Sequence, residues 1–134
     1  MTPQQLAEQA HAGQTRKSTG EPYITHPERV ASMFATDFFI NVSWLHDVIE
    51  DTDYEFEDLE DFYGLKLAHT VHALTKHKGQ QYSQYIRRIS FDSRLALIKL
   101  ADMFANLTDN PTEKQKEKYL KHAPKLFQAI EAEL

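Results

Sequence analysis

The run Leu45-His46-Asp47-Val48-Ile49-Glu50-Asp51-Thr52 places one imidazole and three carboxylates within six consecutive positions of an otherwise apolar segment. Neutral imidazole and ionised carboxylate are both good ligands for divalent Mn, Fe, Co, Ni or Zn. If the segment is one helix, His46 and Glu50 share a face, and Asp47 lies beside both Glu50 and Asp51. Carboxylates are seldom buried without a partner, so a cation is expected among them, and a divalent metal is the first candidate. A His-Asp pair taken alone is more often a solvated helix end with an acidic cluster. Here Val42, Trp44 and Leu45 precede the pair and Val48 and Ile49 follow it, so at least one polar group must point inward.

Three further places interrupt apolar surface with polar groups. His26, in Tyr23-Ile24-Thr25-His26-Pro27, sits at a helix start whose backbone Pro27 fixes. A capping or surface histidine reads equally well there. Lys99, Asp102 and Asn106 recur at i, i+3 and i+7, one polar stripe on a helix that is otherwise core. A Lys99–Asp102 ion pair is the plainer alternative, although such a pair stabilises little once desolvation is counted. The loop from Gln14 to Tyr23 sets Arg16 and Lys17 side by side among hydroxyls and Gly20, which suits a phosphate clamp. By composition it is also an ordinary surface loop. The order is more telling than any one place: His, then His-Asp, then a late Asp, each on a separate helix. Two imidazoles and two carboxylates with open positions for water match a catalytic metal site better than a closed structural one.

The elements that must position these groups all read as helices. Thr2 caps a helix that opens at Pro3 and runs to about Gly13. A polar loop follows to Thr25. Thr25 or His26 caps the next helix, with Val30, Met33 and Phe34 on one face. Asn41 to Glu50 is read as a single helix carrying the His-Asp motif. Phe56–Tyr63 and Leu65–Leu74 are short helices split by Gly64. Tyr82 to Ile89 is amphipathic, Ser93 to Leu107 strongly apolar, and Asn110-Pro111 with Glu113 announces a last helix. Pro124 is expected to divide that last part into two short helices. No alternating run argues for a strand, so the fold class is all-α: a compact single-domain bundle of short helices over residues 1–134.

Composition narrows the class further. With 134 residues the chain can bury roughly two-thirds of its unfolded surface as one domain. Its net charge of −5 is spread without a basic stripe, against nucleic-acid binding. No apolar stretch approaches the roughly 20 residues of a membrane span, and the N-terminus lacks the pattern of a signal peptide. A cytoplasmic protein is expected. The absence of cysteine leaves only nitrogen and oxygen ligands for a metal. His69 and His72 share a helix with Leu65, Leu67, Val71 and Leu74 and read as a half-buried or solvated face. His77, between Lys76 and Lys78, and the pair Arg87-Arg88 could line a phosphate entrance. Tyr82 and Tyr85 read as packing residues.

The order of polar groups resembles the HD-domain metal-dependent phosphohydrolases. The words around them narrow it. His11-Ala12-Gly13-Gln14-Thr15-Arg16-Lys17 and Gly20-Glu21-Pro22-Tyr23-Ile24-Thr25-His26-Pro27 look like the opening of a RelA/SpoT-type alarmone hydrolase domain. Leu45 to Thr52, Ala73-Leu74-Thr75-Lys76, and Ile98-Lys99-Leu100-Ala101-Asp102 with Asn106 match later words, so the resemblance covers residues 7 to about 110. It implies hydrolysis of the 3′-pyrophosphate of (p)ppGpp with one divalent ion, manganese first and Fe, Co, Ni or Zn as alternatives. It further implies metal ligation by His26, His46, Asp47 and Asp102, with Glu50 and Asp51 orienting and activating water. Arg16 and Lys17 would hold phosphate, and Asn106 would contact the nucleotide sugar or a phosphate. The partner is then a small nucleotide, with no nucleic acid and no membrane, and the oligomeric state stays open, a homodimer included. Alternatives are a phosphatase for another nucleotide, such as a 5′-monophosphate or NADPH, and a nucleotide-binding sensor without turnover.

Overall fold

The computed structural model describes residues 1–134, and its regular elements are all helices: α1 (Pro3–Ala10), α2 (Thr25–Ala31), α3 (Asp37–Leu45), α4 (Val48–Asp51), α5 (Phe56–Tyr63), α6 (Leu65–Leu74), α7 (Tyr82–Ile89), α8 (Ser93–Leu107) and α9 (Glu113–Glu131). The all-α expectation therefore holds. Backbone contacts group the chain into two units, Met1–Thr75 and Lys76–Leu134. No helix is long and apolar enough to cross a membrane.

In the first unit α3 packs against α1, α2 and α6, and α5 packs on α6. Leu6, Val30, Val42, Leu45, Val48, Leu59, Ala68 and Val71 are fully enclosed. The local chemistry explains the ends of these helices. The Thr2 hydroxyl accepts from the Gln5 N–H at 3.1 Å, the Gln5 side chain accepts from the Thr2 N–H at 2.9 Å, and Pro3 follows at the first helical position. α1 stops at Ala10, short of the expected Gly13, because His11 to Gly13 form a turn that ends with Gly13 at φ 84°. Gly64 divides α5 from α6 at φ 93°, a region closed to most side chains. Neither Thr25 nor His26 caps α2. Ile24 occupies the cap position without a side-chain bond, and the Thr25 hydroxyl donates instead to the Pro22 carbonyl at 2.8 Å.

The largest departure concerns the motif itself. Asn41 to Glu50 is not one helix: α3 ends at Leu45, and α4 starts at Val48. Asp47 takes up φ −104°, ψ 0° between them. Neighbouring residues on a continuous helix point about 100° apart and cannot meet. The interruption lets two consecutive side chains turn toward one point.

In the second unit α8 packs on α9 and α7, and α7 on α9, around Tyr85, Ile86, Ile89, Ile98, Met103, Tyr119 and Leu126. The Asp92 carboxylate caps α8 through the Arg94 N–H at 2.9 Å. Thr112 and Gln115 form a reciprocal capping box at the start of α9. Pro124 does not split the last segment, since α9 continues through it to Glu131. The buried anchors Tyr119 and Leu126 lie on either side of the proline and hold both halves in line, while the exposed Leu120 leaves water access to the carbonyl that the missing N–H would have bonded.

Candidate metal centre and phosphate loop

His26 projects from α2 and His46 from the end of α3, and both are buried, with exposures of 2% and 5%. The His46 Nδ1 lies 2.6 Å from the Ser43 carbonyl oxygen. A carbonyl only accepts, so this nitrogen carries the proton and also satisfies one of the free carbonyls at the α3 terminus. The other nitrogen, Nε2, then turns its lone pair toward Asp47 Oδ2 at 3.1 Å. His26 Nε2 lies 3.7 Å from the same oxygen, and the two imidazole rings meet edge to face at 5.2 Å. Two acceptors at such a separation need a proton or a cation between them. Bonds of about 2.0–2.2 Å to one ion place neighbouring ligands roughly 3.0–3.5 Å apart, so this donor set fits a divalent metal.

Asp47 Oδ2 has a third neighbour that the sequence reading left without a role. The Tyr23 hydroxyl donates to it at 2.6 Å and stands 3.2 Å from Asp51 Oδ2. One phenol thus bridges two carboxylates. The loop before α2 puts it there. Arg16 N–H donates to the Glu21 carbonyl at 2.7 Å, Tyr23 N–H to the Gln14 carbonyl at 2.8 Å, and Gly20 N–H to the Arg16 carbonyl at 2.8 Å. Thr15 and Pro22 form an isolated bridge across this turn. Arg16 is half-buried with its guanidinium 5.6 Å from the centre of the Tyr23 ring, whereas Lys17 is exposed. His11 packs against Tyr23 with tilted rings 4.8 Å apart, its Nδ1 lies 2.9 Å from Gln14 Oε1, and Gln14 Nε2 donates to the Asp51 carbonyl at 2.9 Å. His11 and Gln14 lie in the resembling word His11–Lys17, which gave neither a role of its own. The sequence signal for Tyr23 is its place in the word Gly20-Glu21-Pro22-Tyr23-Ile24-Thr25-His26-Pro27, three residues before His26.

Glu50 and Asp51 stand with Asp47, their carboxylate oxygens within 4.8 Å of one another. Both residues reach solvent. Desolvation of the Asp51 carboxyl raises its pKa above the usual 3.8, Asp47 raises it further, and the Tyr23 hydrogen bond works in the opposite direction. A crowded set of three carboxylates beside two imidazoles is repulsive by itself and is relieved by a divalent cation. Replacing Tyr23 with Phe keeps the ring against His11 and Arg16 but removes the donor on Asp47. Metal affinity should fall about 10–100-fold, the usual cost of losing an outer partner of a ligand. Titration of the metal into the stripped variant measures this, and an unchanged affinity would reduce the hydroxyl to packing.

In the second unit, Asp102 is buried on α8 with 6% exposure, and Lys99 Nζ donates to its Oδ2 at 2.7 Å. The plain ion pair anticipated from the spacing is therefore present. Burial alone would lower the Lys99 pKa, but Asp102, Tyr85 and Tyr82 together hold it well above 10.5. Lys99→Met removes the ammonium beside the buried Asp102 carboxylate and should destabilise the metal-free protein by about 3–5 kcal/mol, read from denaturant unfolding. Asn106 lies one turn on and donates from Nδ2 to the Tyr119 hydroxyl at 3.0 Å. His69 and His72 are exposed, as expected, and flank Phe56. His77 Nε2 lies 2.6 Å from Arg88 Nη1 in the turn region after Thr75.

Comparison with known proteins decides the family. The profile described as "HD domain" matches residues 4–133. The chain belongs to the HD-domain family. Among curated HD-domain relatives, the bifunctional (p)ppGpp synthase/hydrolase SpoT of Escherichia coli K12 is 38% identical over 117 residues, covering 76% of this chain and 16% of SpoT. The guanosine-3′,5′-bis(diphosphate) 3′-pyrophosphohydrolase of Haemophilus influenzae is likewise 38% identical over 117 residues, covering 76% of this chain and 17% of its own length. This HD domain thus spans about one-sixth of the relatives it matches, 16% of the first. A solved structure described as a metazoan ortholog of SpoT that hydrolyzes ppGpp superposes with a TM-score of 0.77 at 28% identity, covering 96% of this chain and 83% of that one.

Proposed function

We propose that this chain is a metal-dependent phosphohydrolase that removes the 3′-pyrophosphate of (p)ppGpp, with residues 1–134 acting as one HD-type domain. The observation that supports this best is the convergence of His46, His26 and Tyr23 on Asp47 Oδ2, with Glu50 and Asp51 alongside. The names of the curated relatives point to the same substrate.

In this reading His26, His46, Asp47 and Asp102 hold one divalent ion, manganese first. When bound, it lowers the pKa of water and polarises the phosphoryl oxygen. Glu50, solvent-accessible and beside Asp47, takes the proton from the attacking water. Asp51, tethered through Tyr23 and the Gln14 amide, orients that water. Arg16 and Lys17 hold the phosphate chain and offset charge on the group in flight, and Asn106 contacts the nucleotide sugar or a phosphate. The partner is the nucleotide, and the place of action is the cytoplasm.

The test is incubation of metal-stripped protein with Mn²⁺ and ppGpp, with products resolved by anion exchange. GDP and pyrophosphate, absent with Glu50→Gln, are expected. Absence of turnover by metal-loaded protein would overturn the substrate, and orthophosphate released from a 5′-monophosphate or NADPH would replace this reading with that of a nucleotide phosphatase.

A further inference from the structure

The second unit holds a cation that the mechanism above does not use. Lys118 Nζ lies 4.5 Å from the centre of the Tyr82 ring and 5.4 Å from that of Tyr119. Lys99 Nζ approaches Tyr82 too, at 6.0 Å, and Tyr85 at 5.1 Å. Two ammonium groups therefore gather about one phenol. The charge of Lys99 is answered by Asp102 at 2.7 Å, while Lys118 has aromatic rings and no carboxylate as its close partners. Burial of Lys118 and then the charge of Lys99 both lower its pKa, so the ammonium sits where a positive charge is disfavoured. Beside it the Tyr82 hydroxyl is buried with no hydrogen-bond partner. Burial also raises the pKa of that phenol, so it stays protonated and remains a donor without an acceptor.

An ammonium without a close carboxylate and an unsatisfied buried hydroxyl share one remedy, an anion with several acceptor oxygens. A fold that needed only packing at 118 would be served by leucine or methionine. Lys118 also adjoins Tyr119, the residue that takes the Asn106 amide, so it borders a residue that the proposed reading assigns to substrate. We propose that Lys118, with the Tyr82 hydroxyl and with Lys99 beside it, forms an anion subsite of the second unit that binds the phosphate chain the enzyme does not cleave. The assignment of that chain rests on the alarmone reading, but the anion subsite does not. It gives a physical reason for selecting nucleotides phosphorylated at two positions.

The experiment is calorimetric titration of inorganic pyrophosphate into the full chain after dialysis free of divalent ions, so that no metal can recruit the anion. Wild type should bind, Lys118→Met should bind about tenfold or more weakly, and Tyr82→Phe should fall between them. Lys125→Met, an exposed lysine of the same helix, should match wild type. Thermal melts establish that each variant is folded. Equal affinity in Lys118→Met and wild type overturns the subsite and leaves Lys118 as a cation–π packing residue, and so does an equal loss in Lys125→Met, which would mean diffuse charge. Turnover of ppGpp gives the second arm: Lys118→Met should raise KM about tenfold with kcat nearly unchanged. If pyrophosphate binding depends on Lys118 yet no variant turns over ppGpp, the subsite stands and the alarmone reading falls.

Discussion

Asp47→Ala is expected to leave a folded protein that no longer retains a divalent ion and shows no hydrolysis of ppGpp. Asp47 Oδ2 is the atom at which His46 Nε2 at 3.1 Å, His26 Nε2 at 3.7 Å and the Tyr23 hydroxyl at 2.6 Å converge. Its removal takes away the only carboxylate shared by the two imidazoles in the first unit. Loss of the metal's charge stabilisation should reach about 4 kcal/mol or more, on the order of a thousandfold in rate. Stability of the stripped protein should not fall in parallel, because the like charge that helps raise the Asp51 pKa disappears with Asp47. Metal content after dialysis, beside a thermal melt, separates the two effects. A variant that keeps one equivalent of metal would remove Asp47 from the ligand set.

Glu50→Gln should behave differently. The amide preserves size and can still hydrogen-bond, but it cannot take a proton. Metal content should match wild type while kcat falls about 10²–10⁴-fold, the range expected for loss of a general base. The solvent exposure of Glu50 fits that task, since a base needs access to water, whereas the buried histidines fit ligation. If Glu50→Gln also loses metal, Glu50 is a ligand and Asp51 becomes the candidate base.

Most helices followed from sequence alone because their ends are set locally. Phe56–Tyr63, Leu65–Leu74, Tyr82–Ile89 and Ser93–Leu107 have the bounds expected from apolar spacing and from Gly64. The site was only partly accessible that way. Residue types singled out the candidate ligands, but periodicity argued for one helix through His46 and Asp47, where the chain breaks. At that break the Ser43 carbonyl meets His46, a contact no pattern encodes. Tyr23 was hidden for a similar reason: its partners Asp47 and Asp51 lie 24 and 28 residues away. Pro124 misled because a local rule for helix interiors was overridden by the packing of Tyr119 and Leu126.

The interruption between α3 and α4 makes fraying a chemical variable. Two consecutive candidate ligands stand at the end of α3, where the Ser43 carbonyl is held by the ring of His46. Unwinding the final turn of α3 would release the Ser43 carbonyl, free the imidazole to rotate and separate the pair, at a cost set by the enclosed Val42 and Leu45 in that turn. Binding an ion to the pair would fasten that terminus, and amides from 43 to 51 should then exchange their hydrogens more slowly as the ion is added. With the proposed ligand set, the last turn of a helix would work as a latch that the cation closes.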